Sequence, residues 1–211
     1  MKSSNLFVKR LKSVVLSAIV ASPMLVLAEA PKLKTWKKND VALGSLATAL
    51  KIRDYSGTFT SDSEFSSVRL NVAFFKNGVL EKKRMIGSAV SASSKKSTEG
   101  EIAVQIVDLD YLNIKDAPSD SMRFHINLSS LGMGSSGQED IPKSVFDCTK
   151  SLSTSSRPDD SYYKGVDGIG NILFYLMSSK TGASKGANNL EELLKSNPHS
   201  DIAVVYLTFE E

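Results

Sequence analysis

Apolar and polar residues alternate most cleanly over 68-VRLNVAFF-75, where Val68, Leu70, Val72 and Phe74 share one face of an extended chain. Asn77-Gly78 follows. Both residues tolerate the positive φ of a type I′ turn, so the spacing predicts a β-hairpin. A two-residue loop fixes the register. Phe75 then faces Leu80, Phe74 faces Glu81, Val72 faces Lys83, Leu70 faces Met85 and Val68 faces Gly87. The Phe75–Leu80 pair is either an apolar spot at the hairpin tip or the seat of a covering helix.

The same alternation returns in Ile102, Val104 and Ile106, and in Met122, Phe124, Ile126 and Leu128. In the second of these strands Arg123, His125 and Asn127 take the opposite face. The run 201-DIAVVYLTF-209 is apolar on both faces and predicts a central or well-covered strand. Helical spacing is found at Leu43, Leu46, Ala47 and Leu50 after Asp40, and in a short helix from Asn189 to Lys195 stopped by Pro198. Residues 168–180 fit a buried helix slightly better than a strand. Residues 53–66 read as polar and turn-rich.

The expected fold is therefore α+β: an antiparallel sheet of about five strands, made of a meander over 67–129 plus the strand 201–209. Short helices pack mainly on one side, with a β-sandwich as the alternative.

The first 28 residues stand apart. Lys2, Lys9, Arg10 and Lys12 lead into the apolar run 14-VVLSAIVA-21, and Ser22-Pro23 breaks it before Val26-Leu27-Ala28. This is the pattern of a secretory signal peptide. Cleavage is expected after Ala28, because the competing site after Ala30 would place Pro31 next to the scissile bond. Pro23 interrupts a run already too short for a spanning helix. The reading is thus a leader, 1–28, a single globular domain, 29–211, a periplasmic or secreted location and no integral membrane span.

The leader also changes the charge. The whole chain has 26 Lys+Arg and 23 Asp+Glu, net +3. Removing four basic residues with the leader leaves 22 against 23, net −1, which gives no footprint for nucleic acid. The local exception is 32-KLKTWKK-38. There Lys32, Lys34, Lys37 and Lys38 surround Trp36, in a segment expected to be solvated and poorly ordered. Its sharper reading is a peripheral contact with an anionic surface.

Candidate chemistry is sparse. Gly132-Met133-Gly134-Ser135-Ser136-Gly137 has the glycine spacing of a dinucleotide turn, but no helix opens within it and Glu139 and Asp140 would repel a pyrophosphate. The expected role is a flexible connection from a strand to a helix that starts at Pro142 and carries Ile141, Val145, Cys148 and Leu152 on one stripe. One Cys and two His give no zinc spacing, and a lone Cys148 makes no internal disulfide. Lys180-Thr181-Gly182, Ser93-x-x-Lys96 and Ser161-x-x-Lys164 match the K-T-G and S-x-x-K of penicillin-interacting serine enzymes, but both S-x-x-K matches lie in polar loops, the S-D-N is missing and the chain is short for that fold, so they read as chance matches.

His125 and His199 are the available bases for a Ser-His-Asp set. Asp108 and Asp110 share a strand face and could form a carboxylate pair for glycoside or metal chemistry. No catalytic, cofactor or metal residue is assigned. The expected function is a non-enzymatic binding or accessory domain that engages a protein or envelope component. A sheet face, the hairpin tip or the Ser/Gly stretch would supply the contact, with Phe75, Leu80 and Trp36 as the candidate surface. The alternative is an exported hydrolase.

Overall fold

The computed structural model describes residues 30–39, 52–91, 95–112, 118–147, 151–155, 168–179, 185, 187 and 189–211. The leader, the helix expected near 43–50, Cys148, the S-x-x-K fragments and Lys180-Thr181-Gly182 lie outside these residues, wholly or in part.

Among the described residues, ten strands make two antiparallel sheets. The strands are β1 (Leu33–Lys38), β2 (Arg53–Phe65), β3 (Ser67–Lys76), β4 (Val79–Val90) and β5 (Ser97–Asp108). They continue with β6 (Ser121–Ser130), β7 (Met133–Pro142), β8 (Ser151–Ser155), β9 (Ile172–Ser179) and β10 (Asp201–Glu210). The first sheet has the order β1-β2-β5-β6-β7 and the second β4-β3-β10-β9-β8. The sandwich alternative fits this arrangement. The single five-stranded sheet does not, because the expected meander is divided: β3 and β4 belong to one sheet, β5 and β6 to the other. Two short helices accompany the sheets among the described residues, α1 (Leu109–Leu112) and α2 (Leu190–Ser196).

The core lies between the sheets. Phe59, Val104, Ile106, Phe124 and Ile126 of the first sheet meet Val72, Phe74, Phe174, Val205 and Leu207 of the second, all buried. Alternation along each strand supplies these inward faces. A second apolar cluster lies on the outer face of the second sheet. Ala73, Phe75, Tyr175, Met177, Ile202 and Val204 are covered there by Leu190 and Leu193 of α2. Asn189 caps that helix, its Oδ1 accepting from the Glu192 N–H at 2.8 Å. As expected, β10 is apolar on both faces and sits centrally, between β3 and β9.

Several expectations are corrected. Residues 32–38 are not a loose terminus: 33–38 form β1, paired with β2. The polar stretch 53–66 is mostly the long strand β2. Its inward positions are Tyr55, Gly57, Phe59, Ser61 and Phe65, enough to bury one face while the other stays polar. Residues 172–179 form a strand, not a helix, and all eight are buried. The Ser/Gly stretch is the hairpin β6–β7, turning on Leu131 and Gly132 with φ of 59° and 72°. Pro142 ends a strand instead of opening a helix, and the expected stripe through Leu152 is broken because 151–155 is β8.

The β3–β4 hairpin turns on Asn77-Gly78 with φ of 50° and 77°, and Phe75 faces Leu80 as the loop requires. The remaining register slips twice. Phe74 faces Lys82, Val72 faces Arg84, Leu70 faces Gly87 and Val68 faces Ala89, with irregularities between Phe74 and Phe75 and between Leu70 and Asn71. These β-bulges insert Glu81 and Ile86. They keep the charged Glu81–Arg84 run at the rim and bring Ile86 and Ala89 into the core.

Candidate functional site: a polar groove on the first sheet

The outer face of the first sheet carries polar residues across four strands. Register places Ser56, Ala103, Asn127 and Ser136 side by side on β2, β5, β6 and β7. One pair further along are Thr58, Glu101, Ser129 and Gly134. On the other side are Asp54, Gln105, His125 and Gln138, whose side chains are longer. The smaller residues beside that longer row leave a trough. It is a groove of about 340 Å³, lined on its polar side by Asn39, Ser56, Glu101, Asn127, Ser129 and Ser136. Neighbouring strands lie about 4.8 Å apart, so a groove crossing from β2 to β7 is about 14 Å long.

The floor is held in place from both sides. The Asn39 N–H donates to the Ser56 carbonyl at 2.8 Å, bringing Asn39 to the rim. Thr35 and Thr60 share a hydroxyl–hydroxyl hydrogen bond of 2.7 Å between β1 and β2. At the far end Arg123 donates to both oxygens of Asp140, at 2.7 and 2.9 Å, fixing β6 to the edge strand β7. That hydrogen bonding, opposed by partial desolvation, raises the Arg123 pKa above its ordinary value.

The residues singled out by sequence are scattered. Trp36 is not a surface residue: its side chain is 2% exposed, beside Phe174 with ring centroids 6.4 Å apart. It lands inside because an irregularity between Leu33 and Thr35 shifts the alternation of β1, so that Leu33 and Trp36, three residues apart, both turn to the core while the lysines stay in solvent. Phe75 is buried under α2, and only Leu80, at 41% exposure, remains at the hairpin tip. The candidate surface Phe75–Leu80–Trp36 is therefore not one patch. Lys32, Lys34, Lys37 and Lys38 are exposed along β1, an edge strand, where lysines also discourage pairing with another chain.

Asp108 and Asp110 are brought together, but around a cation. Lys143 Nζ lies 2.8 Å from Asp108 Oδ1 and 2.6 Å from Asp110 Oδ2. Burial works against the Lys143 charge, yet hydrogen bonds to both carboxylates outweigh it and raise its pKa. The hydrogen bond from Lys143, and then that from the Asp120 N–H, lower the Asp110 pKa. The triplet ties the end of β5 to the turn after β7, and among the described residues no group of three or more metal-ligating side chains is found.

His125 lies on the outer face between Gln105 and Gln138. His199 is exposed in the turn before β10. His125 thus belongs to the first sheet, and His199 to a turn leading into the second. No helix among the described residues is long and apolar enough to cross a membrane.

Sequence reasoning missed the groove. Its signal was present in the polar alternation Asp54, Ser56, Thr58, Thr60, but was masked because inward Gly57 and Ser61 interrupt the apolar half of the pattern. Compared with known protein families, with curated proteins and with solved structures, the chain matches none.

Proposed function

We propose that this protein is an exported, non-enzymatic binding or accessory domain, periplasmic or secreted, that engages a protein or envelope component through the outer face of its first sheet. The observation that carries the reading is the groove of about 340 Å³ across β2, β5, β6 and β7. A face of exposed hydrogen-bonding side chains on a rigid scaffold suits recognition. Export rests on the leader, with its basic start, short apolar run and small residues at Val26 and Ala28. The hydrolase alternative draws no comparable support. It needs a histidine beside an Asp and a Ser in one pocket, and the residues beside His125 across the sheet are Gln105 and Gln138.

The test is a pull-down from envelope extract with the purified protein, run beside Ala103→Gln, which places a long side chain in the trough. A component captured by the parent and lost with the variant supports the reading. Equal capture by both proteins overturns the assignment to this face.

A further inference from the structure

The lining of the groove has a chemistry that narrows the ligand. Its polar residues are the serines Ser56, Ser129, Ser135 and Ser136, the amides Asn39 and Asn127, and the carboxylate Glu101. Hydroxyls and primary amides both donate and accept, which matches a ligand built from hydroxyls that do the same. No lysine, arginine or aromatic ring is among the lining residues described. An anionic ligand would meet Glu101 with no cation in the lining to offset it. A protein partner gains most of its affinity from aromatic or aliphatic anchors in dry pockets. The exposed large apolar residues Val79, Leu80, Met85, Val90 and Met133 lie on β4 and at the start of β7, outside the groove.

We infer that the groove binds an uncharged carbohydrate chain laid across the strands from β2 to β7. The inference rests on the binding-face reading above. A trough about 14 Å long holds a short run of linked pyranose rings, not a single sugar. Without an aromatic platform the sugar faces gain no stacking, so binding is held by hydrogen bonds in competition with water. Affinity for one short chain is accordingly weak, in the millimolar range, and useful recognition would come from a polymer presenting many such sites.

The purified protein is titrated with cellotetraose, maltotetraose and chitotetraose while backbone amide chemical shifts are followed, with tetragalacturonate as the anionic control. The expected result is saturable shifts at Ala103, Asn127 and Ser136 with at least one neutral tetrasaccharide and none with tetragalacturonate. Ala103→Gln and Asn127→Ala each weaken that binding at least tenfold while the melting temperature stays within a few degrees of the parent. Absence of shifts with all three neutral tetrasaccharides overturns the inference, as does binding indifferent to both substitutions. If Ala103→Gln abolishes capture of an envelope component while no tetrasaccharide binds, the carbohydrate assignment falls and the binding face stands. If neither responds, both fall.

Discussion

The Trp36 side chain occupies the space that a side chain on Gly57 would need. A Cβ built on Gly57 would stand 2.6 Å from Trp36 Cη2 and 2.4 Å from the Lys37 carbonyl oxygen. One strand gives up a side chain so that the indole of its neighbour can reach the core. Alanine has the better strand propensity in general, but here the blocking atom includes backbone, which cannot swing aside. Gly57→Ala should destabilise the protein by about 1–3 kcal/mol. Urea unfolding should show a lower midpoint with an unchanged slope, and an unchanged midpoint would refute the packing described.

The three glycines that imitate a dinucleotide turn have separate structural roles, and alanine substitutions should tell them apart. Gly132 sits at φ 72° with nothing near its missing Cβ, so Gly132→Ala should cost about 1–2 kcal/mol through backbone strain alone. Gly134 has neither a positive φ nor a neighbour, and Gly134→Ala should be neutral or stabilise by about 0.5 kcal/mol through the unfolded state. On Gly137 a Cβ would lie 2.4 Å from the Ile86 carbonyl oxygen, where β4 crosses β7. Gly137→Ala should therefore cost about 1–3 kcal/mol. Equal effects at all three positions in thermal unfolding would contradict this division.

The Lys143 triplet predicts a pH profile. A lysine with a raised folded pKa contributes stability that is complete below its unfolded value, about 10.4, and is lost as pH rises through the folded one. An aspartate with a lowered folded pKa contributes stability present above about 3.9 and lost as pH falls through its folded value. The triplet should therefore be fully effective from about pH 5 to pH 10. Lys143→Met removes the cation from Asp108, whose side chain is 10% exposed, and should cost about 3 kcal/mol at pH 7. Urea midpoints measured from pH 3 to pH 11 should show the gap between parent and variant narrowing at both ends. A constant gap would argue that the loss comes from packing instead.

Processing of the leader is open to direct measurement. N-terminal sequencing of the protein recovered from outside the cytoplasm should begin at Glu29. A start at Pro31 would favour the Ala30 site, and retention of Met1 would refute the cleaved leader.

How much of this could be seen in the chain beforehand depends on how each strand is covered. The strands containing 68–74, 102–106 and 122–128 each bury one face in the inter-sheet core, and a period of two survives in their residues. β9 is buried on both faces, so Ile172 to Met177 lose the alternation and resemble a buried helix. β7 is an edge strand with only Ile141 fully buried, and its Ser/Gly composition looks like a loop because it has almost no core to fill. The hairpin turn was legible in Asn77-Gly78, whereas the bulges were not. Their trace is the adjacent apolar pair Met85-Ile86, which breaks alternation so that one residue faces out at 57% exposure and the next turns in. The groove was harder still, since it arises from four strands set side by side by register.

The position of β10 bears on the timing of folding. Residues 201–210 form the centre of the second sheet, between β3 from 67–76 and β9 from 172–179. Until that last segment has been made, β3 and β9 have no common neighbour and the sandwich cannot close. Pairing over such sequence distances is slow. For a chain proposed to cross a membrane before folding, the delay is useful: the second sheet, and with it the sandwich, cannot be completed while residues 201–210 are still missing. The same topology makes a break ahead of residue 201 costly out of proportion to its length, because it would leave two raw apolar edges where a finished sheet should be.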